Sequence, residues 1–183
     1  MTITERLIAP AATRAEIVLG YTAAALGAMT VGSVAWHAGG SVVVVGVIAL
    51  VGFDMFGGAV VNATASAKRW YHRPGRSSRH HLGFVAAHVQ PFILALIVPG
   101  FGWWTAAAIY AIVFLAAVAV AFSPRGIRTP VAFAGAVFGV VIIPSVFTVP
   151  AFLLWFAPVL LIKLLLAHLL PGPEPRDDDC RNR

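Results

Sequence analysis

Asp54, His88 and Lys163 lie inside long apolar segments of this 183-residue chain, yet each carries a group that can do chemistry. A carboxylate and an imidazole can exchange protons with a substrate, and an ammonium can stabilise negative charge. Ionisable side chains are costly inside a bilayer, so they usually face the interior of a helix bundle and serve function. We therefore expect Asp54, His88 and Lys163 to be the catalytic residues of a membrane-embedded site.

The same residue types allow a second, metal-assisted chemistry. Imidazole nitrogens and a carboxylate are common ligands of zinc and non-haem iron, so His81, His88 and Asp54 form a candidate metal-ligand set that would activate water or oxygen. The spacing matches no metal motif, because the chain contains no His-x-x-His or His-x-x-x-His pair. Zinc, non-haem iron and a site without any metal all stay open.

The polar connection over residues 63–81 is rich in arginine. Arginine recognises phosphate and carboxylate groups, so we expect Arg69, Tyr71 and Arg73, together with Asn62, to bind the polar part of a substrate. The alternative is that these basic residues set the membrane topology and meet anionic lipid headgroups.

The composition of the chain indicates whether these residues lie in water or in a membrane. The chain is 60% hydrophobic and 11% charged, with a mean hydropathy of +0.88, whereas a soluble domain is about 45–50% apolar and about 25% charged. Unbroken apolar runs such as residues 42–51 favour helices over the alternating pattern of membrane strands. The sequence therefore predicts an all-α integral membrane protein, a bundle of about six transmembrane helices.

Six spans of about 20 residues account for most of the chain. Proline residues interrupt the last apolar stretch, which at about 40 residues is too long for one crossing. Two helices that turn near Pro150 are therefore favoured over a re-entrant segment within residues 131–170. The predicted spans are Glu16–Trp36, Ser41–Val61, Leu82–Gly100, Trp104–Phe122, Val131–Val149 and Ala151–Leu170.

The positive charges predict the orientation. Of the 13 basic residues, all but Lys163 lie before the first span, in the second and fourth connections, or after the last span. Because lysine and arginine are retained on the cytoplasmic side, both termini are expected there, in the cell membrane. This gives a cytoplasmic tail (1–15), a single six-helix domain (16–170) with a basic cytoplasmic loop (63–81), and a second tail (171–183). The net charge of +6 is thus a topology signal, which excludes a nucleic-acid partner.

The depths of the intramembrane residues predict one shared layer. At 1.5 Å per residue, Asp54 and Lys163 lie about 20 Å and about 18 Å below the outer ends of their spans, and His88 lies about 9 Å above the inner end of its span. Asp54, Gly58 and Asn62 recur at intervals of four residues and so share a helix face. An ion pair between Asp54 and Lys163 that only fixes helix register is the alternative to a functional site.

The polar layer lies toward the cytoplasmic side, which favours a substrate from the inner leaflet or the cytosol. We expect a small membrane enzyme that acts on a lipid or isoprenoid-like substrate by acid–base or metal-assisted chemistry. A small-molecule binding or transport subunit without catalysis is the alternative. The expected partners are membrane lipids and an apolar or amphipathic small molecule, and a homo- or hetero-oligomer stays open. A third class, a structural partner of a larger complex, would use the small-residue face of Gly20, Ala24, Gly27 and Ala28.

Overall fold

The computed structural model describes residues 9–172, and over that range the chain is helical and contains no strand. Six helical segments are long and apolar enough to cross a membrane. The prediction of an all-α chain is therefore confirmed over residues 9–172, and so is the predicted number of helices long and apolar enough to span a membrane. The spans are Arg14–His37, Val42–Ala63, Ser78–Ile97, Trp103–Phe122, Arg125–Val146 and Ala151–His168.

Hydroxyl side chains begin the first helices of the chain. Helix α1 (Arg14–His37) starts at a capping box in which Thr13 and Glu16 each bond the other's backbone N–H. Helix α2 (Val42–Ala63) starts at Ser41, whose hydroxyl accepts the Val44 N–H at 3.4 Å. The short helix α3 (Ala65–Tyr71) follows directly, so part of the connection that the sequence describes as a loop is helical.

The third span is broken in its middle. It consists of α4 (Ser78–Ala86) and α5 (Gln90–Ile97), separated by a turn that contains His88. Pro91 has no N–H and lies in the first turn of α5, where that loss is harmless. The freed carbonyl of Ala86 accepts the hydroxyl of Tyr110 at 2.9 Å. A side chain thus satisfies the broken backbone, as a membrane interior requires.

The last apolar stretch folds as two helices. Helix α6 (Trp103–Phe122) leads through a 3₁₀ turn (Arg125–Ile127) into α7 (Arg128–Val146), and the chain then turns at Pro150. The predicted hairpin near Pro150 is therefore confirmed. The last span contains a 3₁₀ turn, an α-helix and a π-helix in succession, over Ala151–Leu153, α8 (Phe156–Leu161) and Ile162–His168. Wide π turns of this kind are frequent at functional sites.

The polar connection is tied to the first and last spans. Lys68 donates its ammonium protons to the carbonyls of Ala167 and Leu170 at the end of the last span. Burial lowers the pKa of Lys68 to about 8, so the group stays charged at neutral pH and complements the negative end of that helix. Glu16 accepts the backbone N–H of Ser66 at 3.1 Å and its hydroxyl at 2.8 Å. These contacts define one end of the bundle, which we call the basic end.

Small residues bring α1 and α2 into close contact. A Cβ atom added to Gly27 would lie 2.4 Å from Cγ of Phe56, and one added to Gly57 would lie 2.7 Å from Cβ of Ala24. Gly20, Ala24 and Gly27 are all buried. Most of the small-residue face of α1 therefore packs against α2 within this chain.

The contact between α1 and α2 predicts a specific sensitivity to one methyl group. Gly27→Ala forces the Phe56 ring to move, so we expect a loss of about 1–3 kcal/mol in the free energy of unfolding. Gly46→Ala is the matched control on α2, since nothing lies within 4 Å of its added Cβ. Unfolding with SDS in mixed detergent micelles measures both. Equal losses in the two variants would contradict this packing.

Candidate functional site

A cavity of about 490 Å³ lies among the first, second, third and last spans. Its volume suits a small-molecule ligand, since such pockets usually measure about 300–1,000 Å³. Apolar and aromatic side chains form much of the wall, and five of the predicted catalytic and substrate-binding residues reach it. These are Asp54, Asn62, Tyr71, His88 and Lys163.

An ion pair joins the second and last spans at this cavity. Nζ of Lys163 lies 2.9 Å from Oδ1 of Asp54 and also donates to the Asp54 carbonyl at 3.2 Å. The Lys163 side chain is 3% exposed, whereas that of Asp54 is 50% exposed and lines the cavity. Lys163 lies against Gly58, where an added Cβ would be 2.5 Å from Cε of the lysine. Gly58 thus leaves room for the lysine to reach Asp54.

Gln90 completes the surroundings of the Asp54 carboxylate, although the sequence analysis did not select it. Its Nε2 donates to Oδ2 of Asp54 at 3.0 Å. The signal that could have found Gln90 is an amide next to Pro91, at a point where a membrane helix must break. Among the described residues, Oε1 of Gln90 and Nδ2 of Asn62 are buried without a hydrogen-bond partner. Both residues line the cavity, so a rotation of either amide would bring the unpartnered atom to a bound molecule.

His88 is held in one orientation by the break in the third span. Its Nδ1 donates to the carbonyl of Phe84 at 2.7 Å. A neutral imidazole carries a single N–H, so this bond leaves Nε2 as a hydrogen-bond acceptor. His88 is buried and lines the cavity. The ring therefore provides a positioned base beside the ion pair.

His81 belongs to a different cluster, near the basic end. Its Nδ1 lies 3.3 Å from Nε2 of His168, and its ring stacks on that of His72 with centroids 4.6 Å apart. His72 in turn donates from Nε2 to the His168 carbonyl at 3.0 Å. Burial lowers the pKa of His72, which keeps this ring neutral at pH 7.

The proposed metal-ligand set of His81, His88 and Asp54 is not assembled. Within residues 9–172, no group of three histidine, cysteine or acidic side chains is placed to hold a metal ion. The Asp54 carboxylate is bonded to Lys163 and Gln90 instead. These residues therefore do not fit zinc or non-haem iron, and the chemistry below uses neither.

Of the residues expected to bind the polar part of a substrate, the two arginines are engaged outside this cavity. Arg69 donates to the Ser66 hydroxyl at 3.0 Å, and the guanidinium of Arg73 lies 3.6 Å from the centre of the Trp70 ring. Tyr71 does line the cavity, and burial raises the pKa of its hydroxyl. A neutral phenol can both donate and accept a hydrogen bond there.

The arrangement combines a base, a paired cation and neutral hydrogen-bonding groups in one enclosed space. Nε2 of His88 can take a proton, and the Lys163 ammonium can stabilise negative charge that develops nearby. Tyr71 and Asn62 can hold a polar group of a bound molecule in place. The site can therefore bind an amphipathic molecule and transfer a proton.

Because Lys163 is buried and Asp54 is half-exposed, replacing one or the other should lower the free energy of unfolding by different amounts. Asp54→Ala leaves a buried lysine without its partner, and breaking a buried pair in this way costs about 3–5 kcal/mol. Lys163→Met removes the buried charge itself and leaves a half-exposed carboxylate that keeps Gln90, so we expect a smaller loss than in Asp54→Ala. The double variant should be more stable than Asp54→Ala alone. SDS unfolding measures all three, and an equal or larger loss in Lys163→Met would refute the assignment.

Comparison with known proteins adds no functional assignment to this geometry. The chain matches no family model, and neither curated proteins nor solved structures match it.

Proposed function

We propose that this chain is a small membrane enzyme that binds a lipid or isoprenoid-like substrate in the Asp54 cavity and uses His88 as its acid–base group. One observation carries the proposal. The accepting Nε2 of His88 and the Asp54–Lys163 ion pair share one largely apolar cavity, whose lining residues Asn62 and Gln90 each have one buried atom without a hydrogen-bond partner among the described residues. Unpartnered buried atoms cost free energy, and a rotation of these two amides toward a bound polar group would recover it.

The position of the cavity supports an amphipathic substrate. Asp54 lies near the middle of α2, so an opening that exposes half of its side chain opens to the side of the bundle. Tyr21 and Phe53 also line the cavity and are themselves exposed. A hydrocarbon chain that enters from the bilayer would contact these rings first. Its polar group would then reach Asn62, Gln90 and the ion pair.

Each polar residue has a separate role in this proposal. Nε2 of His88 removes a proton from the substrate and returns it at another atom, and the bond from Nδ1 to Phe84 fixes the ring for that transfer. Lys163 stabilises the negative charge that appears between the two steps. Asp54 keeps the lysine at the cavity wall, while Asn62 and Tyr71 bind the polar group. No metal takes part.

A binding or transport subunit without catalysis is the second candidate. The observation in its favour is that Asp54 and Lys163 neutralise each other and so need not take part in a reaction. Among the described cavity residues, His88 is then the one unpaired titratable group that is suited to proton transfer. A binding protein needs no such group. The behaviour of a His88 variant therefore separates the two functions.

For orientation, we propose that the basic end is cytoplasmic and that both termini lie on that side. The opposite connections, over residues 38–41, 98–102 and 147–150, contain no lysine or arginine. Asn62 and Tyr71 lie toward the basic end of their elements. The cavity would then be reached from the cytoplasmic leaflet.

If the protein is an enzyme, the lipids of a cell that expresses it should change in a way that depends on His88. We expect untargeted mass spectrometry to find at least one lipid whose amount changes on expression of the wild type. Because Gln cannot accept and return a proton, His88→Gln should abolish that change while the protein still folds. The matched control is His37→Gln, which alters an exposed histidine at the opposite end of α1.

Lipids that co-purify with each variant decide between the candidates. Identical cellular lipids in wild type and His88→Gln, with the same co-purified molecule in both, would favour a binding subunit and refute the enzyme. An equal loss in His37→Gln would refute any special role of His88.

A further inference from the structure

A second cavity, of about 420 Å³, lies at the basic end between the second connection and the start of the fifth span. Three arginines from these two segments meet there, Arg76 from one and Arg125 and Arg128 from the other. The hydroxyl residues Ser77, Ser78 and Thr129 also line the cavity. The chain thus places three guanidinium groups and three hydroxyls around one space.

The positive charge of this cavity is not balanced within the described part of the chain. Glu16 and Asp54 are the acidic residues of residues 9–172, and neither lines the cavity. Glu16 bonds Ser66 and Thr13, and Asp54 bonds Lys163. Three cations that surround one space repel each other, and an anion between them would remove that cost.

Arg128 gives a second, independent indication of a ligand. Its Nη2 donates to the Ser123 carbonyl at 3.3 Å, but its Nε is buried and has no partner among the described residues. A guanidinium offers five donors in a planar fork, and an unpartnered buried donor is costly. An oxygen-rich anion in the cavity would accept from this nitrogen once the guanidinium turns toward it, because the nitrogen has no surface open to the cavity.

We infer that the second cavity binds a phosphate group through Arg76, Arg125 and Arg128. Arginine forks match phosphate oxygens in pairs, and the hydroxyls supply further donors. A phosphate monoester presents three terminal oxygens and close to two negative charges, whereas a carboxylate presents two oxygens and one charge. The number of donors and the charge both favour phosphate. The inference does not depend on the chemistry proposed for His88.

A smaller cavity lies between the two larger ones. It shares Tyr71 and Phe84 with the Asp54 cavity, and Arg76 and His81 with the second cavity. The phosphate group can belong to a lipid headgroup, whose chain would then lie along the bundle, or to a free phosphate from solution. Both sources present the same chemistry to the arginines.

The test compares two phosphate probes on the purified full-length chain in nanodiscs of neutral phosphatidylcholine. Inorganic phosphate is titrated by calorimetry, and phosphatidic acid is titrated against phosphatidylcholine by native mass spectrometry. The wild type should bind at least one probe, and Arg76→Gln with Arg128→Gln should weaken that binding at least tenfold. Arg14→Gln with Arg79→Gln removes the same charge from exposed arginines that do not line the cavity, and should change affinity less than twofold.

Each result of the two titrations either supports or overturns the inference. Binding of phosphatidic acid alone identifies a lipid headgroup, and binding of inorganic phosphate identifies a site open to free phosphate. Absence of binding to both probes overturns the inference, and so does an equal loss in the control pair. If the double variant does not fold, Arg76→Gln alone replaces it, since Arg76 is exposed, and a loss of at least threefold is expected. Lipid changes that persist in these variants would leave the role of His88 intact.

Discussion

The ion pair between Asp54 and Lys163 is the constraint on which the rest of the bundle depends. The Lys163 ammonium is buried among the spans, where a charge without a partner costs several kcal/mol, so it depends on Asp54. The contact at 2.9 Å requires that the second and last spans lie side by side, with Gly58 in place of a larger residue. It also coincides with the π-helix that carries Lys163, in which each turn takes up an additional residue. One electrostatic requirement thus accounts for the glycine and for the contact between the two spans.

The hydrogen bonds around this pair separate structural polar groups from those free to bind a ligand. At the break of the third span, Ala86 and Phe84 would each expose a carbonyl, but Tyr110 and His88 satisfy them. Lys68 does the same for the end of the last span. Against this background of satisfied backbone, the unpartnered Nδ2 of Asn62 is an exception. Exceptions of this kind in a well-bonded interior are where a ligand is expected.

Hydropathy is sufficient to predict the six apolar helices, and depth along each helix is sufficient to predict that Asp54, His88 and Lys163 lie at one cavity. Both predictions depend only on length along a helix and on burial. Partners of long side chains were not predictable in this way. The sequence predicts Arg69 and Arg73 at the substrate, yet both bond residues of the short helix α3, since a flexible guanidinium takes the nearest acceptor.

The contacts of the histidines were likewise not predictable from spacing along the chain. His81 and His88 are seven residues apart, a spacing that places two residues on one face of an unbroken helix. The span breaks between Ala87 and Val89, so the helical spacing that would place them on one face does not extend to His88. His81 instead meets His72 and His168, which are distant in sequence. A contact that depends on where a helix breaks requires the tertiary structure.

The two larger cavities differ in charge balance, and their positions explain why. The Asp54 cavity lies within the spans, where an unbalanced charge would have no water to stabilise it, and there each charge has its partner. The second cavity lies at the basic end and collects three arginines without a described acidic partner. Such an excess is tolerable only where water or an anion can reach it. The two cavities therefore favour different groups, a polar group without net charge in the first and an anion in the second.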